Sequence, residues 1–182
     1  MLNVIEKKSG IQMKINTHLN KEIYVNKYSH DIIEDYELSE STPWLQEILT
    51  ELEEDTDEDY PREKAALNLK ATITRKSDRF LGDILILRSH AEGHYNLPCG
   101  RCLYPIKQAI HLDLNAAFLN ESKEELPEYA ECTTVFADGE EMELYFYRKG
   151  IAEISSFYHE QFFSEVVPFP RCEGDCKGKI YF

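Results

Sequence analysis

The sequence predicts an α+β fold: a mainly antiparallel β-sheet, open or barrel-like, with a C-terminal helix and a four-cysteine metal-knuckle site. Three observations predict it. Apolar and polar residues alternate repeatedly between Leu67 and Phe118 with no helical period between the runs, and strands that follow one another directly pair antiparallel. An apolar stripe at spacings of three and four then runs from Ile151 to Val166. Two close cysteine pairs, Cys99/Cys102 and Cys172/Cys176, lie far apart in the chain and suit one metal ion.

A chain of 182 residues fits a single domain, 1–182, with a core that needs no covalent staples. Hydrophobic residues at 42% and aromatics at 12% exclude a wholly disordered chain. The longest aliphatic run, Ile84 to Leu87, is far short of the roughly 20 residues a membrane helix needs. The opening residues carry no apolar signal core, so the expected address is cytoplasmic and the five cysteines are expected to be reduced. Net charge is −14, unevenly placed: residues 31–61 hold thirteen acids and no base, whereas 62–111 hold nine bases and four acids. That balance disfavours non-specific nucleic-acid binding and suits a basic protein partner. The 62–111 segment is the one candidate basic face.

In chain order, Met13–Leu19 and Glu22–Lys27 read as two short strands joined by a tight turn at 19–22. Thr42 and Pro43 then start a helix whose Leu45, Ile48, Leu49 and Leu52 form one stripe. The acids from Glu53 to Asp59 sit where the helix dipole disfavours them, so they read as a solvated loop closing an acidic helix/loop insertion at about 31–61. Leu67, Leu69, Ala71 and Ile73 alternate into a strand, Lys76–Arg79 reads as a turn, and Phe80–Arg88 reads as the return strand, with Gly82 as a bulge. Tyr95–Pro98 and Ile106–Phe118 read as further strands, 120–141 as an acidic loop, and Glu143–Tyr147 as a short aromatic strand. The last helix is expected from Gly150 to Val166, stopped by Pro168 and Pro170.

The cysteine pairs, Cys99-Gly-Arg-Cys102 and Cys172-Glu-Gly-Asp-Cys176, place a glycine in each loop, where backbone freedom helps aim two thiolates at one ion. Three readings remain: one structural zinc on Cys99, Cys102, Cys172 and Cys176; four reduced thiols without metal; or a redox dithiol at Cys99/Cys102. The last lacks the helix start that such dithiols occupy, because Pro105 and an alternating strand follow. For a metal, the four sulfurs are expected within about 4 Å of one another. Cys132 reads as a free thiol, and His90 and His94 as ordinary sheet residues or alternative ligands. No Ser/His/Asp arrangement and no phosphate-cradling glycine loop is visible.

Leu97-Pro98-Cys99-Gly100-Arg101-Cys102-Leu103 resembles the C-x-R-C-L signature of the YceD-like family, the large ribosomal RNA subunit accumulation proteins. Val167-Pro168-Phe169-Pro170-Arg171-Cys172 through Cys176-Lys177-Gly178 resembles that family's P-x-x-P-x-C ending. The likeness covers roughly 65–178. The chain stops at Lys179-Ile180-Tyr181-Phe182 where many members continue with further cysteines. The resemblance implies a role in ribosome biogenesis without catalysis. On that reading the partner is ribosomal RNA, reached through Lys70, Arg75, Lys76, Arg79, Arg88, Arg101 and Lys107, or a basic ribosomal protein of the large subunit. Two other readings stay open: a zinc-stabilised interaction adaptor unrelated to ribosomes, and a CxxC thiol oxidoreductase.

Overall fold

The computed structural model describes residues 15–57, 59–174 and 176. Its scaffold is three long strands: β4 (Ala66–Asp78), β5 (Gly82–Pro98) and β6 (Pro105–Asn120). They pair antiparallel in continuous register, Leu69 opposite Ala91 and Ala91 opposite Leu112. Period-two alternation therefore puts Leu69, Leu85, Leu87, Ala91 and Leu114 on one face, and Lys70, Arg88, His90, Glu92, His111 and Asp113 on the other. The two strands expected over Phe80–Arg88 and Tyr95–Pro98 are one uninterrupted strand that begins at Gly82.

The strand β3 (Ile33–Ser39) joins the sheet beside β4, and β1 (Ile15–Asn16) adds a short parallel edge to β3. On the other side β8 (Glu140–Tyr147) runs parallel to β6 and pairs antiparallel with β7 (Thr134–Ala137). The order β1-β3-β4-β5-β6-β8-β7 leaves two edges, so the sheet is open, not a closed barrel. A second small sheet pairs β2 (Glu22–Tyr24) with β9 (Ile151–Glu153). Hence β1 and β2 are not the hairpin that the 19–22 turn suggested: they belong to different sheets. Met13 and Lys14 of that expected strand lie outside the described residues. After Tyr24 the chain turns through a 3₁₀ segment, Val25–Lys27, instead of continuing as strand.

Two helices cover the first face. In α1 (Pro43–Leu52), Leu45, Ile48, Leu49 and Leu52 are buried as their spacing requires, with Pro43 in the first turn. The Trp44 indole is buried too and donates to the Leu19 carbonyl at 2.8 Å. The last helix, α2 (Ile154–Ser164), is shorter than the stripe from Ile151 to Val166 suggested, because Ile151–Glu153 is taken by β9. Its Phe157, Tyr158 and Phe162 are buried, and Trp44 stacks on Tyr158 with centroids 5.4 Å apart. The main core lies between these helices and the sheet. A smaller core lies on the opposite face at the β4–β5 hairpin end, where Ile84, Ile86, Ala117 and Leu119 meet Met142 and Leu144.

The acidic segment 31–61 is woven into this fold. Tyr36 and Leu38 of β3 and the stripe of α1 are core residues. The loop after α1 is tied to β5: the Glu53 carboxylate accepts from the Asn96 backbone N–H at 2.8 Å and from its amide at 2.6 Å. The Thr56 hydroxyl donates to the Asn96 carbonyl at 3.0 Å. These contacts satisfy a buried asparagine, so Glu53 and Thr56 are structural rather than merely solvated. The β4–β5 turn is Arg79–Leu81, not Lys76–Arg79; Asp78 caps it by accepting from the Phe80 and Leu81 N–H groups, and Gly82 closes it at φ +82° rather than forming a bulge. Among the described residues no helix is long and apolar enough to cross a membrane.

Candidate metal centre

The loop from Cys99 to Tyr104 connects two antiparallel strands, β5 and β6, so Cys99 and Cys102 project from the end of the sheet. The turn is held by backbone bonds, Leu103 N–H to the Cys99 carbonyl at 2.9 Å and Cys99 N–H to the Tyr104 carbonyl at 2.9 Å. The left-handed residue in it is Leu103, at φ +58°, not Gly100. A Cβ on Gly100 would meet Phe169 at an ordinary 3.5 Å, so the first glycine is not required there, whereas Gly174 in the second loop does take φ +78°.

The segment after α2 returns to this loop. The Gly100 N–H donates to the Pro170 carbonyl at 2.8 Å, which docks the second cysteine pair against the first. The ligand atoms of Cys99, Cys102, Cys172 and Cys176 then all lie within 4.8 Å of one another, and the Cys102 and Cys172 sulfurs are 3.7 Å apart. Cys99 and Cys102 are buried, and Cys172 and Cys176 half-buried. A tetrahedral thiolate centre with bonds of about 2.3 Å has sulfur–sulfur edges of about 3.8 Å, so four sulfurs at these separations fit a single ion. The Cys102–Cys172 separation meets the 4 Å expected.

The electrostatics suit that use. Burial would raise the Cys99 thiol, but the backbone N–H groups of Arg101, Cys172 and Cys102 point at its sulfur and bring its pKa down to about 6. Desolvation, together with hydrogen bonding and charge from Cys102 and the charge of Cys99, pushes Cys176 up to about 11, with Arg101 opposing. Four adjacent thiols cannot all ionise by themselves, and a divalent cation removes that conflict. No cysteine is in a disulfide, and Cys132 stands apart, exposed, its thiol directed at the Glu128 carbonyl.

The seven bases do not share one face. Arg75 lies on the main-core side, where it donates to Asp83 at 2.6 and 2.9 Å and to the Tyr28 carbonyl. On the opposite side, Lys76 pairs with Asp138, and Arg88 bridges Asp138 at 2.8 Å and Glu140 at 2.6 Å. Lys107 pairs with Glu63 at 2.7 Å. Lys70, Arg79 and Arg101 are exposed and have no carboxylate within ion-pair range among the described residues. Arg79 stands at the hairpin tip over Phe80, and Arg101 at the cysteine loop.

A family model described as "Large ribosomal RNA subunit accumulation protein YceD" matches residues 87–180, just over half of the chain. The chain belongs to the YceD family. The matched stretch contains all four clustered cysteines and the α2 helix that brings the second pair back to the first. Lys70, Arg75, Lys76 and Arg79 fall before it, as do β3 and α1. No curated protein and no solved structure matches the chain.

Sequence reasoning missed the acids that engage the bases. Asp83, Asp138 and Glu140 are remote or on other strands, and only the register brings Asp138 to Lys76 and Arg88. It also passed over the pairing of His90 and Glu92 with His111 and Asp113 across β5 and β6, which alternation on one face would have revealed once the register was known.

Proposed function

We propose that this protein supports accumulation of the large-subunit ribosomal RNA as a non-enzymatic, cytoplasmic assembly factor, and that its four cysteines hold one structural zinc ion. The observation that carries the reading is the family match, which spans the whole cysteine centre. Bound zinc would supply cross-linking: Cys99 and Cys102 anchor the β5–β6 loop, and Cys172 and Cys176 anchor the segment after α2. Closed four-sulfur sites of this kind are structural rather than catalytic, since no coordination position is left open. Arg101 would offset the negative charge of the filled centre. A thiol oxidoreductase is less well supported, because Cys99 and Cys102 lie between two antiparallel strands instead of at a helix start.

Binding a basic ribosomal protein is the better supported mode of action. Four of the seven candidate RNA-contacting bases are already engaged by the chain's own acids. By contrast, an open groove of about 900 Å³ along the exposed side of α1 carries Glu47, Glu51 and Glu54. Direct RNA binding would fall to Lys70, Arg79 and Arg101. The test is binding of purified large-subunit RNA and of ribosomal proteins as a function of salt, with the Lys70→Gln/Arg79→Gln/Arg101→Gln variant. On the favoured mode the variant retains its ribosomal-protein affinity and Glu47→Gln/Glu51→Gln/Glu54→Gln lowers it. A steep salt dependence of RNA binding, flattened in the triple base variant, would move the contact to RNA.

A further inference from the structure

Beyond the smaller core, the second face of the sheet carries a further group of donor atoms. His90 and Glu92 are two residues apart on β5, so they share a face, and Glu92 stands directly opposite His111 of β6. The His90 Nε2 lies 3.1 Å and the His111 Nδ1 3.6 Å from the same Glu92 oxygen, Oε1. All three donors lie within 4.8 Å of one another. For bonds of about 2.1 Å, a tetrahedral ion needs donor–donor distances of about 3.4 Å, and the two observed contacts straddle that value.

The surroundings of His90 point the same way. Its other ring nitrogen, Nδ1, is 2.6 Å from an Asp113 carboxylate oxygen. A neutral imidazole has one N–H, which satisfies one carboxylate and leaves a lone pair facing the other. A protonated ring donates to both carboxylates; in the neutral ring with its proton on Nδ1 toward Asp113, the Nε2 lone pair faces Glu92, and a metal ion between them takes the place of the second proton. A carboxylate behind a ligating histidine is also the usual way in which the ring is oriented toward a metal. The rings of His90 and His111 pack edge to face, 5.1 Å apart, so both are gathered around the same carboxylate. Lys70, which pairs with His90 across β4, is the competing cation beside Glu92.

We propose that His90, Glu92 and His111 form a second metal site, separate from the cysteine centre, for a divalent transition metal such as zinc, nickel or cobalt, with Asp113 positioning His90. Two imidazoles and one carboxylate suit these ions rather than calcium or magnesium. Three protein ligands leave coordination open, unlike the four-sulfur centre. The site borders a concave cavity of about 600 Å³ in which His90 and Asp113 are wall residues, so an incoming donor can reach it. His111 and Glu92 are largely exposed, which predicts an exchangeable ion.

The test is nickel titration of protein loaded with a single equivalent of zinc per chain, with bound nickel and zinc counted per chain by elemental analysis. The expected result is one nickel bound while the first zinc is retained, with affinity lowered at least tenfold in His90→Gln and in His111→Gln. Both substitutions are at the surface, and unchanged thermal melting of the zinc-loaded variants would establish that they fold. Nickel should also broaden the ring proton signals of His90 and His111 selectively, and Asp113→Asn should weaken binding without abolishing it. If nickel binds no tighter to the parent than to the His111→Gln variant, or only by displacing zinc, the cluster is a ladder of histidine–carboxylate ion pairs and the site does not exist.

Discussion

Replacing Cys99 by serine isolates what a metal ion on the proposed site does, because the segment it would fasten has few other contacts among the described residues. Among the described residues, 167–174 and 176 contribute nothing to either hydrophobic core, and Val167 and Phe169 are exposed. A backbone bond from Gly100 to Pro170, the Cys172 N–H directed at the Cys99 sulfur and the cysteine cluster dock the segment. The metal's contribution is set by mass action: free zinc at 100 times its dissociation constant stabilises the folded state by about 2.7 kcal/mol. At about 2.1 cal/mol/K per residue, a chain of 182 residues has an unfolding entropy of about 0.38 kcal/mol/K near 60 °C, so that loss lowers Tm by about 7 °C. The assay is calorimetry of parent and Cys99→Ser, each with zinc and with a strong chelator, alongside limited trypsin digestion. Arg171 is exposed, and cleavage after it should accelerate when the segment is released, ahead of global unfolding. Parent protein whose melting and whose cleavage at Arg171 do not change on chelation would refute the reasoning.

Three further outcomes follow from the packing and the ion pairs. Phe162 is 3% exposed with its ring on Tyr158, so Phe162→Ala should cost about 3–5 kcal/mol in denaturant unfolding; a loss below about 1 kcal/mol would make that face an exposed one. The Tyr158 hydroxyl is fully buried and makes no hydrogen bond of good geometry, with the Ser89 side chain beside it, so Tyr158→Phe should leave stability within about 1 kcal/mol of the parent or raise it, and a larger loss would show that Ser89 bonds it. The Asp83 carboxyl is held below its usual range first by hydrogen bonds from Arg75, with burial opposing and His30 assisting. A depressed folded pKa means stability present above the unfolded value, about 3.9, and lost as pH falls through the folded one. Asp83→Asn should therefore cost up to about 1 kcal/mol at pH 7 and flatten the acid limb of the stability curve; parallel curves for parent and variant would contradict this.

The long strands and both helix stripes were legible because each is a local pattern: alternation at Leu67–Ile73 and Ile106–Phe118, and spacings of three and four at Leu45–Leu52. The strand β3 was not, because Asp35 and Glu37 fill its solvent-facing positions while Glu34 takes a core-side position opposite Ile73, so the segment looks like an acid run. Only Tyr36 and Leu38 disclose it, and they show as core residues once β4 lies beside them. The parallel β6–β8 pairing depends on a crossover through an acidic stretch whose one strand, β7, is four residues long. Nothing local encodes such a pairing. The cysteine centre was readable from ligand type and short spacing, since few other roles want two such pairs. The supposed basic face was misleading for the opposite reason. Counting charges by segment ignores partners supplied by register: Asp83 neutralises Arg75 across the β4–β5 hairpin, and Asp138, Glu140 and Glu63 neutralise bases distant in sequence.

The family assignment makes a claim about cells that can be measured directly: the ratio of mature large-subunit to small-subunit ribosomal RNA after depletion of the protein. The account predicts that the ratio falls, that the parent gene restores it, and that a Cys99→Ser/Cys172→Ser variant expressed at the same level does not. An unchanged ratio on depletion would contradict the proposed function.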